Sequence, residues 1–150
     1  MSGSWDKTII LWDINTGSKL ISLVGHTEVI NSIKMIDDRC VSASSDSKLI
    51  IWDLKITKNE KSKKKILVDH FDFQLLSGHN SDVYCLDVNK DYIASGGADS
   101  LVIIWSYSTG ELLYKLTGHL GIVRFVYLDD NKLVSGGDSK KIIVWNHKVN

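Results

Sequence analysis

Four tryptophans divide the chain at regular intervals, and this spacing is the feature that most limits the fold. Trp12, Trp52, Trp105 and Trp145 are separated by 40, 53 and 40 residues. A Gly-His pair precedes each of the last three, with 26 residues from the histidine to the tryptophan. A repeat of about 40 residues with a fixed signature indicates one supersecondary unit used several times. The chain is therefore predicted to stack similar units side by side.

The third unit shows most clearly how a repeat is built. Short apolar segments at 83–88, 92–95, 101–105 and 112–116 alternate with glycine-rich or polar breaks. Four short strands separated by tight turns are predicted in each complete unit. The segment that ends in tryptophan is continuously apolar, which is typical of a strand covered on both faces. A four-stranded sheet with a neighbour on each side provides that cover.

The second unit contains 13 more residues than the third between its tryptophan and the next Gly-His pair. We assign them to 55–69, whose centre at 57–65 is rich in lysine and has no period-two alternation. The segment is predicted to form an extended surface loop between the third and fourth strands of its unit. A basic stretch also fits a nuclear import signal or an anion-binding patch. These readings stay open beside that of a solvated loop tip.

The composition is that of a soluble protein with balanced charge. The 150-residue chain has 18 basic and 18 acidic residues and a formal net charge of zero. This balance gives no general reason to expect nucleic acid or an anionic membrane as the partner. No apolar run reaches the length of a membrane span or a signal-peptide core. Cys40 and Cys85 lie in apolar segments and are predicted to be buried thiols, which favours the cytoplasm, with the nucleus as the alternative.

The repeated order of residue types resembles a known family. Gly-His, then Ser-x-x-x-Asp, then an apolar strand that ends in Trp is similar to the WD-repeat family of β-propellers. The dipeptides at 12–13 and 52–53 keep the name-giving Trp-Asp pair, whereas Trp105 and Trp145 keep only the tryptophan. The resemblance covers nearly the whole chain and implies an all-β fold of four-stranded antiparallel blades. It divides the single segment 1–150 into units at about 1–24 (partial), 25–77, 78–117 and 118–150 (partial).

The WD-repeat family links four side chains in each blade by hydrogen bonds. A histidine lies before the first strand, a serine or threonine on the second, an aspartate in the following turn and a tryptophan on the third. In the last unit Ser139 takes the aspartate position and Asp138 is displaced by one residue. The first unit offers Ser2, Asp6 and Trp12 without an upstream histidine. By resemblance the sets are His26, Ser42, Asp46 and Trp52; His79, Ser95, Asp99 and Trp105; and His119, Ser135 and Trp145.

Physical chemistry favours a structural role for these polar groups. A buried tryptophan N–H needs an acceptor, and serine and histidine can relay the bond to an aspartate. The same residue types form hydrolase triads, but near-copies in three units without a nucleophile elbow argue against catalysis. The repeat separates the histidines, so no metal site is predicted, and no cofactor is expected. The Gly-Gly pairs at 96–97 and 136–137 lack a phosphate-loop pattern and are predicted to form tight turns or close blade contacts.

The number of strands indicates an incomplete ring. The sequence predicts groups of three, four, four and three strands, which make three and a half blades. Known propellers have at least about four blades. An open arc would expose an apolar face at each end. The chain is therefore predicted to be part of a longer propeller or to associate, and two copies would supply about 28 strands, the number in a seven-bladed ring.

The family resemblance also implies where a partner binds. In WD-repeat proteins, partners generally meet the face formed by the loops around the central channel. Two positions per unit are expected there, one five residues after the histidine and one just before the turn aspartate. Trp5 and Tyr84 lead these candidates because aromatic side chains dominate interface energetics, with partial burial against neighbouring loops as the alternative. The candidates are Asn31, Tyr84 and Arg124 at the first position, and Trp5, Ser45, Ala98 and, in the last unit, Asp138 at the second.

The sequence is compatible with three functions. The loops at 37–39, 89–91 and 129–131 resemble those of F-box propellers, which bind phosphorylated peptides through clustered arginines, but here only Arg124 is an arginine at the candidate positions. The leading hypothesis is a non-enzymatic scaffold that binds other proteins or peptides, without a specific nucleic acid or membrane partner. Self-association or contact with the rest of a longer propeller is a further option. The alternatives are a substrate-receptor propeller for ubiquitin ligation and, with the least support, a hydrolase.

Overall fold

All regular secondary structure in the described part of the chain is β-strand. The computed structural model describes residues 1–58 and 66–146, with the backbone alone for 55–58 and 66–71. Within these residues, fourteen strands form sheets of three, four, four and three strands. Every pairing is antiparallel. The predicted fold class of four-stranded antiparallel blades is confirmed.

The strands follow one another as meanders. Sheet 1 contains β1 (Ser2–Gly3), β2 (Thr8–Trp12) and β3 (Lys19–Val24). Sheet 2 contains β4 (Ile30–Ile36), β5 (Arg39–Ser44), β6 (Lys48–Lys58) and β7 (Ile66–Ser77). Sheet 3 contains β8 (Val83–Val88), β9 (Tyr92–Gly97), β10 (Val102–Ser106) and β11 (Leu112–Leu116). Sheet 4 contains β12 (Val123–Leu128), β13 (Lys132–Gly137) and β14 (Ile142–Asn146).

The turn that precedes each tryptophan strand has the same conformation in all four sheets. Its last residue has a positive φ: 70° at Lys7, 63° at Ser47, 65° at Ser100 and 57° at Lys140. This conformation is costly for residues other than glycine. In the first three sheets the preceding aspartate stabilises it by accepting a backbone N–H two residues on, for example from Leu101 at 3.2 Å.

Apolar side chains fill three layers, one between each pair of successive sheets. The layer between sheets 1 and 2 includes Ile9, Leu11 and Trp52, and the layer between sheets 2 and 3 includes Trp105. The layer between sheets 3 and 4 packs the side chains of β10 against those of β12. Each inner sheet is thus covered on both faces, and burial of each large apolar side chain contributes roughly 1.5–3 kcal/mol. The first strands β4, β8 and β12 adjoin one another, so the sheets fan out from a shared inner edge.

The surface loop predicted for 55–69 is wrong at both ends, where the structure has strands. Strands β6 and β7 continue as a paired hairpin, with Ile56 opposite Val68 and Lys58 opposite Ile66. β-Branched and aliphatic residues favour extended backbone even beside a lysine-rich sequence, and pairing satisfies their N–H and C=O groups. The insertion therefore lengthens a hairpin. Residues 59–65, which hold most of the lysines, lie outside the described residues.

The two Gly-Gly pairs lie at strand ends, and so the tight-turn option does not apply to them. Gly97 ends β9 and Gly137 ends β13. A Cβ on Gly97 would meet the backbone oxygen of Asp82, and one on Gly137 would meet that of Ile122. Glycine therefore allows the loop that follows each Gly-His pair to lie directly against the neighbouring strand.

Both cysteines are free and buried within the sheets. Burial raises the pKa of the Cys40 thiol and of the Cys85 thiol to about 12, and both are therefore protonated at neutral pH. Among the residues that the structure describes, no helix is long and apolar enough to cross a membrane. The same residues contain no group of three or more His, Cys, Asp or Glu side chains placed to hold a metal ion.

Candidate functional site

In sheet 3, four side chains form a hydrogen-bonded relay from the core to the surface. Trp105 Nε1 donates to Ser95 Oγ at 2.9 Å, and Ser95 Oγ lies 2.8 Å from His79 Nε2. The other ring nitrogen of His79, Nδ1, lies 2.9 Å from a carboxylate oxygen of Asp99. One tautomer serves every group, because the indole donates to serine, serine to Nε2 and the Nδ1–H to the carboxylate. Burial lowers the pKa of His79 and outweighs the opposing effect of Asp99, so the ring is neutral at pH 7.

Sheet 2 contains the same relay with nearly the same distances. Trp52 Nε1 donates to Ser42 Oγ at 2.8 Å, and Ser42 Oγ lies 2.7 Å from His26 Nε2. His26 Nδ1 lies 2.8 Å from Asp46 Oδ2, which also accepts the backbone N–H of Thr27 at 3.0 Å. The aspartate thus joins the Gly-His loop to the turn. The four residues that the sequence analysis grouped in this unit lie together.

The end sheets depart from the pattern. In sheet 4, Trp145 donates to Ser135 at 2.8 Å and Ser135 lies 2.8 Å from His119 Nε2, but Nδ1 meets the hydroxyl of Ser139 at 3.2 Å. Burial lowers the pKa of His119 as well. In sheet 1, Trp12 donates to Ser2 at 2.9 Å without a histidine. Sheet 4 therefore has a rearranged relay that ends in a hydroxyl.

Replacing Ser139 with aspartate is expected to stabilise the protein. The second carboxylate oxygen of the new aspartate could accept the Leu120 N–H, as Asp99 accepts the N–H of Asn80 at 3.0 Å in sheet 3. The gain should be about 1 kcal/mol in the free energy of unfolding, the usual net value of an added hydrogen bond. Urea denaturation at pH 7 measures it, with Ser108→Asp in an exposed turn as the matched control. An equal change in both variants would contradict a specific role for position 139.

The loop face is defined here as the end of the sheets formed by the Gly-His loops and the turns before each tryptophan strand. The Gly-His loops are 25–29, 78–82 and 118–122. The turns are 4–7, 45–47, 98–100 and 138–140. Backbone hydrogen bonds join each loop to its turn in the same way. Ser45 donates to the Val29 carbonyl at 2.9 Å and Ala98 to that of Asp82 at 2.8 Å. Asp138 N donates to the Ile122 carbonyl at 2.9 Å, and so the turn and the loop form one rigid rim in sheets 2, 3 and 4.

A β-bulge sets the direction of one side chain in each of these three sheets. In sheet 3, Val83 pairs with Gly97 and Cys85 with the adjacent Gly96, so Tyr84 is the extra residue. The same register shift makes Asn31 the extra residue of β4 and Arg124 that of β12. A bulge interrupts the alternation of side chains and re-aims one of them. These are the three candidates that follow the histidines by five residues.

The bulge residues contact their neighbours across the sheets. Asn31 Nδ2 donates to Ser45 Oγ at 3.1 Å in its own sheet and to the Val83 carbonyl at 2.9 Å in the next. The Arg124 guanidinium lies 4.8 Å from the centre of the Tyr84 ring, so a cation–π contact joins sheets 3 and 4.

Arg124 is also engaged within its own sheet. It makes two hydrogen bonds to Asp138, at 3.0 and 3.1 Å, which lower the pKa of that carboxyl. We call the continuous surface of Asn31, Ser45, Tyr84, Ala98, Arg124 and Asp138 the rim strip.

Two exposed apolar residues on the loop face lie outside the rim strip. Trp5 is in the turn between β1 and β2 and is 84 % exposed, so partial burial does not apply to it. Leu120 follows the last Gly-His pair and is equally exposed. Leu120 was not among the residues predicted from the sequence, although Thr27 and Asn80 are polar at the same repeat position and mark this leucine as a departure.

Comparisons with known proteins agree with this geometry. The family model described as "WD domain, G-beta repeat" matches residues 1–13, 17–53, 72–106 and 110–146. Cell division control protein 4 of Saccharomyces cerevisiae is 32 % identical over 147 residues, covering 89 % of this chain and 18 % of the relative. WD repeat and SOCS box-containing protein 1 of Xenopus tropicalis is 33 % identical over 109 residues, covering 69 % of this chain and 23 % of the relative. The chain thus spans a quarter or less of the length of these two relatives.

A solved structure shows the same arrangement of sheets. The computationally designed Ika4 protein superimposes with a TM-score of 0.78 at 29 % identity, over 96 % of this chain and 82 % of the designed one. The family model covers most of the chain, and each matched segment contains one of the four regularly spaced tryptophans. The chain therefore belongs to the WD-repeat family.

Proposed function

We propose that this chain is a non-enzymatic scaffold that binds proteins or peptides at the rim strip of its loop face. WD-repeat proteins generally act as protein-interaction scaffolds. The observation that carries the proposal for this chain is the set of three bulges, which direct Asn31, Tyr84 and Arg124 to the same face. Tyrosine and arginine are enriched among the residues that dominate binding energy.

The rim strip is ordered before a partner arrives. The turn and loop backbones are bonded to each other in sheets 2, 3 and 4, and Arg124 is held by Tyr84 and Asp138. Association normally costs free energy to order side chains and loops at the interface. A surface whose side chains already have partners avoids part of that cost. This supports binding by rigid presentation, without a conformational change in the scaffold.

The buried position of the serine hydroxyls supports the non-enzymatic assignment. His79, Ser95 and Asp99 have the hydrogen-bond order of a hydrolase triad. Ser95 is fully buried, and its hydroxyl already accepts the indole N–H and lies against His79. A nucleophile must reach a substrate carbonyl, which this hydroxyl cannot do without opening the sheet packing. The relay is therefore assigned to stability.

The substrate-receptor alternative for ubiquitin ligation has weaker support. A reader of phosphorylated peptides needs several cations directed at the phosphate. On the rim strip, Arg124 is the one arginine, and Asp138 already occupies two of its N–H groups. A phosphate would have to compete with that carboxylate. A neutral or mixed-charge peptide that packs on Tyr84 fits the rim strip better.

Substituting Tyr84 tests the proposed function. Partners captured from cell extract by the wild-type chain should lose at least about tenfold in affinity for Tyr84→Ala, as expected for an aromatic residue central to an interface. Tyr114→Ala on the exposed strand β11 is the matched control and should bind as the wild type does. Both variants should melt within a few degrees of the wild type. Unchanged capture by Tyr84→Ala and by Arg124→Ala would refute binding at the rim strip.

We also propose the cytoplasm as the location, with the nucleus as the alternative. Its support is the chemistry of Cys40 and Cys85, which are free thiols at buried positions. Oxidising compartments favour disulfides in small domains, whereas reducing ones preserve thiols. Fluorescence imaging of the tagged chain tests the location, and accumulation in the secretory pathway would contradict it.

A further inference from the structure

The relay of sheet 4 holds a buried histidine without a carboxylate. His119 is 6 % exposed, and its Nδ1 lies 3.2 Å from Ser139 Oγ. His79 in sheet 3 is similarly buried, but its Nδ1 lies 2.9 Å from a carboxylate oxygen of Asp99, and sheet 2 has the same pairing. A carboxylate stabilises an imidazolium beside it, whereas a hydroxyl has no charge with which to do so. Protonation of the ring should therefore cost more free energy in sheet 4 than in the other two sheets.

The serine of this relay also has fewer acceptors than its counterparts. Ser95 Oγ lies 3.4 Å from the carbonyl oxygen of Ile103, and sheet 2 has the same contact. Within the part of the chain that the structure describes, the Ser135 hydroxyl is bonded only to Trp145 and His119. A neutral ring accepts the Ser135 O–H at Nε2, but a protonated ring donates from both nitrogens. The buried O–H of Ser135 would then lose its acceptor, which is a further cost of protonation.

The charged groups of sheet 4 do not replace the missing carboxylate. Asp138 is the one acid in the 118–122 loop and the 138–140 turn, and it already accepts two hydrogen bonds from Arg124. Burial lowers the pKa of His119, whereas in sheet 3 Asp99 opposes the same effect on the pKa of His79. The other charged or titratable groups of the surrounding elements are Tyr127 on β12, Lys132 on β13, and Lys140 and Lys141 before β14.

The contacts that distinguish this relay all lie within sheet 4. The sheets of His26 and His79 have a neighbour on each side, and the hydrogen bonds of both ring nitrogens still stay within one sheet. A further sheet packed on the outer face of sheet 4 would therefore leave the relay unchanged. It would deepen the burial of His119, which disfavours the charged ring still more.

We propose that the relay of sheet 4 is a pH-sensitive switch, which holds the 118–122 loop against the 138–140 turn at neutral pH and releases it below about pH 6.5. In the closed state Asp138 N donates to the Ile122 carbonyl at 2.9 Å. The closed relay keeps His119 neutral, whereas an open loop gives the ring its ordinary pKa of about 6.5. The open state therefore binds more protons below that pH, so acid favours it. The switch does not depend on partner binding at the rim strip.

Amide hydrogen exchange of the wild-type chain tests the proposal. One histidine with a pKa of about 6.5 in the open state can raise the opening equilibrium at most about tenfold between pH 7.5 and pH 5.5. After correction for the intrinsic exchange rate, the protection of the Asp138 N–H should therefore fall by about three- to tenfold. The internal comparison is the Ala98 N–H, which donates to the Asp82 carbonyl at 2.8 Å in sheet 3. Its protection should fall less, because Asp99 lies beside the charged form of His79.

Two variants separate the switch from a general sensitivity to acid. Ser139→Asp should reduce the fall in Asp138 protection to that of Ala98, because it gives the charged ring a carboxylate. His119→Gln cannot be protonated and should remove this pH dependence, even where its protection is lower at both pH values. Ser108→Asp, which adds a carboxylate in an exposed turn, is the matched control and should behave as the wild type does. Circular dichroism checks that each variant is folded at both pH values.

An NMR titration of the wild-type ring gives an independent readout. The pKa of His119 should lie below its ordinary value of about 6.5. A pKa at or above this value would overturn the proposal, because acid would then stabilise the closed loop. An equal fall in protection at Asp138 and Ala98, or an undiminished fall in Ser139→Asp, would overturn it as well.

Discussion

Replacing Trp105 with alanine is expected to lower the free energy of unfolding by about 4 kcal/mol, a typical loss for truncating a large buried aromatic side chain. The indole is 1 % exposed and lies in the core between sheets 2 and 3. Its loss would leave a cavity at this junction and would remove the donor to Ser95. Urea denaturation at one fixed protein concentration measures the effect and keeps any contribution from association constant.

Trp5→Ala is the matched control for this substitution. The same side chain is removed from a turn where it is 84 % exposed. Surface substitutions of this kind usually change stability by less than about 0.5 kcal/mol. The comparison therefore isolates the contribution of the core position. Equal losses in the free energy of unfolding for both variants would show that the regularly spaced tryptophans do not stabilise the sheet packing.

The regular spacing made most of the fold predictable, because each relay residue needs a fixed place in its sheet. A histidine 26 residues before a tryptophan can share a serine with it only if the two strands and the turns between them have set lengths. His79 and Trp105 do meet on Ser95 in the structure. The departure in the last unit, where Ser139 replaces an aspartate, was predictable from the same spacing. A pattern that specifies contacts therefore also specifies the strands that make them.

The conformation of the hairpin formed by β6 and β7 could not be predicted from the repeat. Its extension beyond the sheet depends on pairing between 55–58 and 66–70, and no repeat element marks these residues. The lysine-rich composition between them indicated a loop. Strand pairing, however, depends on both partners and on their register, so one segment read alone did not reveal it. The insertion was visible as extra length, but its conformation was not.

The sequence predicted which residues form the rim strip, but it did not predict the contacts between them. Resemblance placed Tyr84 and Arg124 at equivalent positions of adjacent units, but it gave no reason for them to touch. The stacking of Arg124 on Tyr84 follows from bulges in β8 and β12. A bulge is a shift of register between two strands, and the sequence of one strand does not show it. The pairing of Arg124 with Asp138 similarly changes an arginine that seemed available for phosphate into one that is already neutralised.

Replacing Ser95 with alanine is expected to cost about 3 kcal/mol, because the change leaves two buried polar groups without a partner. Its hydroxyl joins Trp105 Nε1 at 2.9 Å and His79 Nε2 at 2.8 Å in a fully buried site. Ser95→Thr keeps the hydroxyl and should recover part of the loss. Ser108→Ala in an exposed turn is the control and should change stability by less than about 0.5 kcal/mol.

A double-mutant cycle identifies the serine as the centre of the relay. Trp105→Phe removes the indole N–H and keeps an aromatic ring, so that Ser95→Ala should cost less in its presence. The expected coupling is about 1 kcal/mol, the range found for residues in direct contact. Additive losses would indicate that the hydroxyl and the indole act separately. A Ser95→Ala protein that keeps its wild-type stability but loses a hydrolytic activity would contradict the structural role, since only a catalytic serine gives that result.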